Sequence, residues 1–159
     1  MPEKAAYLLA VPCFADWEPA HALAELRRSG GYRVEVVGLD SAPVESMGGL
    51  TVEPSRTLAD VDPADVAIFI RPGGDYWEQE HRHTSNGLSY LRKRVPEYAA
   101  ARDYVDAPSM RDDHLITANG LADVEFARDI MAELGVFSEE DRVRWTRLFR
   151  SGHLDGRAS

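Results

Sequence analysis

The sequence predicts an α/β fold built on a mostly parallel sheet. Two observations carry this. Apolar, β-branched runs that read as buried strands alternate with segments whose apolar residues recur at helical spacing. The early order is strand, helix, strand, strand, the order in which a parallel sheet is wound. The chain has 159 residues, of which 44% are hydrophobic and 28% charged. That suits one globular domain over residues 1–159, with a core of its own.

The elements follow in order. AAYLLAV (5–11) is an unbroken apolar run ending at Pro12, as expected of a strand buried on both faces. In PAHALAELRRSGG, Pro19 opens a helix, Ala20, Leu23, Ala24 and Leu26 form its apolar side, and Gly30-Gly31 ends it. YRVEVVGL (32–39) is a second strand. APVESMGGLTVEPSRTL is a short β excursion around a Gly-Gly turn, and DPADVAIFI (62–70) is a third buried strand. NGLSYLRKRVPEY (86–98) reads as a short helix broken at Pro96, and HLITA (114–118) as a strand. ADVEFARDIMAELG gives a helix with Val124, Ala127, Ile130, Met131 and Leu134 on one face, stopped by Gly135. Residues 137–159 hold a last helix and a frayed tail: Ser138 and Asp141 have capping-box spacing, and Trp145, Leu148 and Phe149 form a stripe.

Composition excludes some functions. A net charge of −9 argues against nucleic acid or an anionic membrane surface as partner. No apolar run reaches the roughly 18 residues of a membrane span. The single Cys excludes an intrachain disulfide and fits a reducing cytoplasm. KAAYLLAVPCF superficially suits a signal peptide, but acidic ADWE follows where a small-residue cleavage site would be needed.

No G-x-S-x-G, G-x-G-x-x-G or Walker A pattern is present. Four features remain. Asp16 and Glu18, after strand one, would stand at the carboxyl edge of the sheet, where open α/β folds bind ligands; acids there also serve as plain helix caps. Gly73-Gly74, after strand three, can turn the backbone sharply and present N–H groups to an oxyanion, or can simply be a tight turn. Cys13 is either a reactive thiol or a small buried hydrophobe. His81 and His83, two apart among Glu78 and Glu80, have the residue types of a metal site, yet in a charged loop such residues are usually just solvated.

Taken in order, ADWEPA, MGGLTVEPSRTLADV, ADVAIFIRPGGDYWE, RHTSNGLSYL, YVDAPSM and LITANGLADVEFARDIMAELGVF resemble the ThiJ/PfpI superfamily, the class I glutamine amidotransferase-like proteins. The resemblance runs to about Phe137. It implies a flavodoxin-like three-layer sandwich and a site around a nucleophilic Cys at a strand-to-helix elbow. A Glu hydrogen-bonds that Cys, and Glu18 matches its position; Gly73 and Gly74 match the oxyanion turn. Members include peptidases or amidases, glyoxalase-like enzymes and stress-response chaperones. No cofactor is implied.

One departure matters. After PGGDYWE the superfamily runs through a helix, the central strand, the elbow and another helix before HTSN; this chain has QEHR. About 35–40 residues are missing at usual element lengths. Cys13, at the end of strand one, does not match the nucleophile. The expectation is therefore a non-catalytic binding or assembly protein, with a small-molecule ligand and a homodimer in prospect. A cysteine-dependent hydrolase or glyoxalase-like enzyme is the alternative.

The sheet inherits the same problem. In a 2-1-3-4-5 order the fourth strand separates the third, Val66–Ile70, from the fifth, Leu115–Ala118. Three arrangements could satisfy the bared edge: Leu115–Ala118 shifts to pair with strand three, a segment of 82–106 fills the place, or a second chain completes the sheet. The first is the expectation.

Overall fold

The computed structural model describes residues 4–76, 107–112 and 115–152. The helix expected over 86–98 and the pair His81 and His83 lie outside these residues.

The chain begins with β1 (Ala5–Leu9), every residue of which is buried. Strand pairing continues to Ala10, whose N–H donates to Val37 O at 2.9 Å, and the run ends at Pro12, which has no N–H to offer. Helix α1 (Ala20–Arg28) starts after Pro19 and buries Ala22 and Leu26. Gly31 follows at φ +69, the left-handed conformation that lets the chain turn back into β2 (Arg33–Gly38). Next come β3 (Val44–Glu45) and β4 (Thr51–Val52), an antiparallel pair joined through Gly48-Gly49. The strand β5 (Arg56–Thr57) precedes two 3₁₀ turns, Leu58–Asp60 and Pro63–Asp65. Of the 62–70 run, the strand is Val66–Ile70, the stretch that the sheet-order expectation uses. Asp62 caps the second turn by accepting from Ala64 N–H at 2.9 Å, so β6 spans only Val66–Ile70. After it come β7 (Ser109–Asp112), β8 (Leu115–Ala118), α2 (Asp123–Glu133) and α3 (Glu139–Ser151).

The main sheet has the order β5-β2-β1-β6, with every pairing parallel. This is the α/β architecture that the strand–helix alternation predicts, with β1 central. Helices α1 and α2 pack side by side and α3 packs on α2, so the described helices form one layer. Leu26, Ala127, Ile130 and Met131 join the sheet residues Leu8, Val37 and Ile70 in a single buried cluster. Ser138 caps α3 as its spacing predicts, accepting from Asp141 N–H at 3.1 Å. Of the α3 stripe, Trp145 is buried and stacks edge-on against His21, 5.6 Å between ring centroids.

The expected shift of Leu115–Ala118 onto the third strand does not occur. β8 pairs antiparallel with β7, in the register Ser109↔Ala118 to Asp112↔Leu115. The reason lies in chain connectivity. Pairing two segments only two residues apart in the chain satisfies the backbone of both at little loop-closure cost, whereas β6 lies 44 residues upstream of β8. α2 also holds the pair: it packs on both strands, and Arg111 pairs with Glu133. Among the described residues β6 therefore has one strand partner, β1. An open cleft of about 350 Å³ lies along its other side, between β6 and β8, floored by Phe126 and Ile130 of α2. In a 2-1-3-4-5 sheet the fourth strand would occupy this cleft.

Candidate functional site

The carboxyl edge of the sheet brings together three loops: residues 10–19 after β1, 71–75 after β6, and 119–122 after β8. The first two are laced by backbone. Phe14 and Gly74 form an antiparallel bridge, Ala15 N–H donates to Gly73 O at 2.9 Å, and Asp75 N–H donates to Cys13 O at 3.2 Å. The β3–β4 excursion adds a wall: Cys13 N–H donates to Glu45 O at 2.7 Å, and Met47 N–H to Phe14 O at 2.9 Å.

Within this frame Glu18 is half-buried, and its Oε2 accepts the Gly73 N–H at 2.6 Å. A carboxylate accepting a backbone N–H at this length makes a charge-assisted hydrogen bond. Its other oxygen lies 2.8 Å from where a Cβ on Gly73 would stand and 2.9 Å from where one on Gly120 would stand. Gly74 faces Cys13 and Phe14 rather than Glu18. It has φ +149, and a Cβ there would run into the Cys13 carbonyl oxygen. Cys13 itself takes the left-handed conformation, φ 56, and is half-buried. For a residue with a Cβ that costs about 1–2 kcal/mol, which the surrounding backbone bonds hold in place. Asp16 turns the other way: its Oδ2 accepts from Ser46 Oγ at 2.6 Å, and the buried Ser46 also receives the Leu50 N–H at 3.0 Å.

Sequence spacing therefore locates Glu18, Gly73, Gly74 and Cys13 in one neighbourhood. It misses three participants. Ser46 fixes Asp16. Gly120 lies against Glu18, and Trp17 Nε1–H donates to Gly120 O at 3.0 Å. The Asn-Gly of LITANGLAD marks a turn in the sequence, but a turn signal does not say which distant loop it will meet.

Chemically the arrangement places one acidic group on the Gly73 N–H, one of the two that match the oxyanion turn. A preorganised donor stabilises a transition state only if it is free to meet the charge that develops there. Here the donor already meets a carboxylate. Among the described residues no three His, Cys, Asp or Glu side chains converge as a metal would require, and no helix is long and apolar enough to cross a membrane.

A family model described as the DJ-1/PfpI family matches residues 3–97. Two Bacillus subtilis proteins, each described as an uncharacterized protease, are similar along their lengths. YoaZ is 25% identical over 193 residues, covering 93% of this chain and 91% of that protein. YdeA is 24% identical over 185 residues, covering 94% and 92%. An alignment of 193 residues exceeds a chain of 159, so at least 34 aligned residues of YoaZ have no counterpart here. Among solved structures, the DJ-1 superfamily protein Atu0886 from Agrobacterium tumefaciens is 27% identical with a TM-score of 0.78, covering 94% of this chain and 100% of that one. A thiJ/pfpI family protein from Bacillus anthracis shares the fold, with a TM-score of 0.77 at 24% identity over 96% of this chain and 92% of that one.

Proposed function

The chain belongs to the DJ-1/PfpI family, and from that premise we propose that it is a non-catalytic member, a binding or assembly protein with a small-molecule ligand. The observation that carries this reading is the Glu18–Gly73 hydrogen bond, 2.6 Å long. It puts a carboxylate on one of the two N–H groups that would serve acyl-transfer chemistry. The surplus of at least 34 residues in the YoaZ alignment is in keeping with it, being close in length to the segment expected to be missing after PGGDYWE. We place the protein in the cytoplasm as a homodimer, with stress response as the context that the resemblance suggests.

A second reading, a cysteine-dependent hydrolase or glyoxalase-like enzyme, is favoured by one feature. Cys13 sits in a left-handed backbone conformation directly against Gly74, and strained residues cluster at active sites. The test is turnover. Purified protein whose intact mass agrees with 17.7 kDa is assayed against peptide, amide and dicarbonyl substrates, and the thiol is labelled in parallel. No turnover is expected, with labelling no faster than a free thiol of pKa about 8.5 allows. Turnover that Cys13→Ala abolishes would establish the second reading instead.

A further inference from the structure

Glu18 is held from two sides by groups that belong to different loops. Its Oε2 accepts the Gly73 N–H at 2.6 Å, while Oε1 lies where a side chain on either Gly73 or Gly120 would have to be, 2.8 and 2.9 Å from those absent Cβ positions. The carboxylate thus occupies a slot between two glycines on the loops after β6 and after β8. The glycine of the second loop is fastened one residue away from the acid: Trp17, adjacent to Glu18 in the chain, donates its indole N–H to Gly120 O at 3.0 Å.

We propose that Trp17 and Gly120 are positioning residues for Glu18, acting together as a latch that keeps its carboxylate on the Gly73 N–H. The 119–122 turn is braced internally. Asn119 N–H donates to Pro108 O at 3.1 Å, Leu121 N–H to Asn119 Oδ1 at 2.9 Å, and Ala122 N–H to Asn119 O at 3.0 Å. It therefore stays with the β7–β8 pair, which is not part of the main sheet. Leu121 is 94% exposed and contributes little packing that could seat the turn against Glu18. The indole bond supplies that seating. Its consequence is geometric: the absent Cβ of Gly120 leaves room for Oε1 while Oε2 meets the Gly73 N–H. An alanine at 120 would put a methyl carbon 2.9 Å from Oε1, too close for contact, so the carboxylate end has to shift.

The proposal goes beyond the non-catalytic reading and stands or falls separately, since it concerns how Glu18 is held and not whether substrate is turned over. The probe is the Gly73 amide. Pro72–Gly73 is the one Pro–Gly pair among the chain's 12 glycines, so carbonyl-labelled proline with nitrogen-labelled glycine picks out its resonance. Glu18→Gln sets the scale, moving the Gly73 proton upfield as a charged acceptor becomes neutral. Trp17→Phe, which deletes the indole N–H and keeps a ring, is expected to move it the same way by at least half as much. Gly120→Ala is expected to move it in the same direction. The amides of Gly30, Gly135 and Gly152, in turns elsewhere, should stay in place and so report an intact fold. If both latch variants fold and leave the Gly73 amide at its wild-type position, the proposal is overturned.

Discussion

At Glu18 a carboxylate meets a backbone N–H where a thiol partner would be expected, and the neighbouring glycines show how little room the site has for change. Gly74 is the sharper case. Its φ of +149 suits glycine alone, and an added Cβ would meet the Cys13 carbonyl oxygen and come within 2.8 Å of Phe14 Cα. Both are backbone atoms and neither can swing aside. Gly74→Ala should therefore cost about 2–4 kcal/mol, read as a lower urea midpoint with an unchanged slope. A loss below about 0.5 kcal/mol would mean that the two loops can part without strain. Residue chemistry made Glu18 and the glycine pair candidates beforehand, because both follow buried strands at the edge where open α/β sheets bind ligands. It could not reveal Trp17, because an indole near a helix start is equally at home in the core or, as here, 45% exposed.

Between elements the informative contact is a buried acid. Glu25 on α1 is 3% exposed, and it accepts from Trp145 Nε1 of α3 at 3.0 Å, from Ser29 Oγ at 2.8 Å and from Arg28 at 2.9 Å. Burial by itself would raise its pKa, but the hydrogen bonds from Trp145, Ser29 and Arg28 outweigh that and hold it below the ordinary 4.5. Glu25→Ala should cost about 3 kcal/mol, because Trp145 Nε1 and the exposed Arg28 lose a shared buried acceptor. The pH dependence has a definite sign. A folded value below the unfolded one means that the stabilisation is complete above about pH 4.5 and is lost as pH falls from there through the folded value. The stability gap between wild type and Glu25→Gln should be constant near neutrality and narrow in acid, measured as urea midpoints across pH. A gap that widens in acid would show that the carboxyl is bound as the neutral acid. This contact was not legible in the sequence: the α3 stripe announced that Trp145 would be buried, but nothing in either helix says that an indole N–H and a carboxylate 120 residues apart will meet.

At the scale of the molecule, the side of β6 away from β1 has no strand partner among the described residues. The cleft beside it is lined by Ile68 and Phe69 on one wall and Leu115 and Ile116 on the other, and Leu115 is 65% exposed. Apolar surface next to a strand edge favours association. The homodimer proposed above should appear in light scattering at micromolar concentration as twice the 17.7 kDa of the chain; a clean monomer would remove it. Leu115→Lys should leave the helical circular dichroism signal unchanged and raise solubility, since the side chain already faces solvent.

The sequence by itself determined the α/β class and the order of the long elements among the described residues, though not the strand Ser109–Asp112, because strand and helix periodicities are written residue by residue along the chain. It also located the acid and the glycine turn that converge, because the carboxyl ends of parallel strands share one edge. Tertiary structure decided the rest. Whether Leu115–Ala118 joins β6 or β7 depends on which partner closes the cheaper loop, and its apolar pattern suits either. The contacts that make the site, Glu18 to Gly73 across 55 positions and Trp17 to Gly120 across 103, depend on how distant loops are brought together, and no local pattern in the chain encodes that distance.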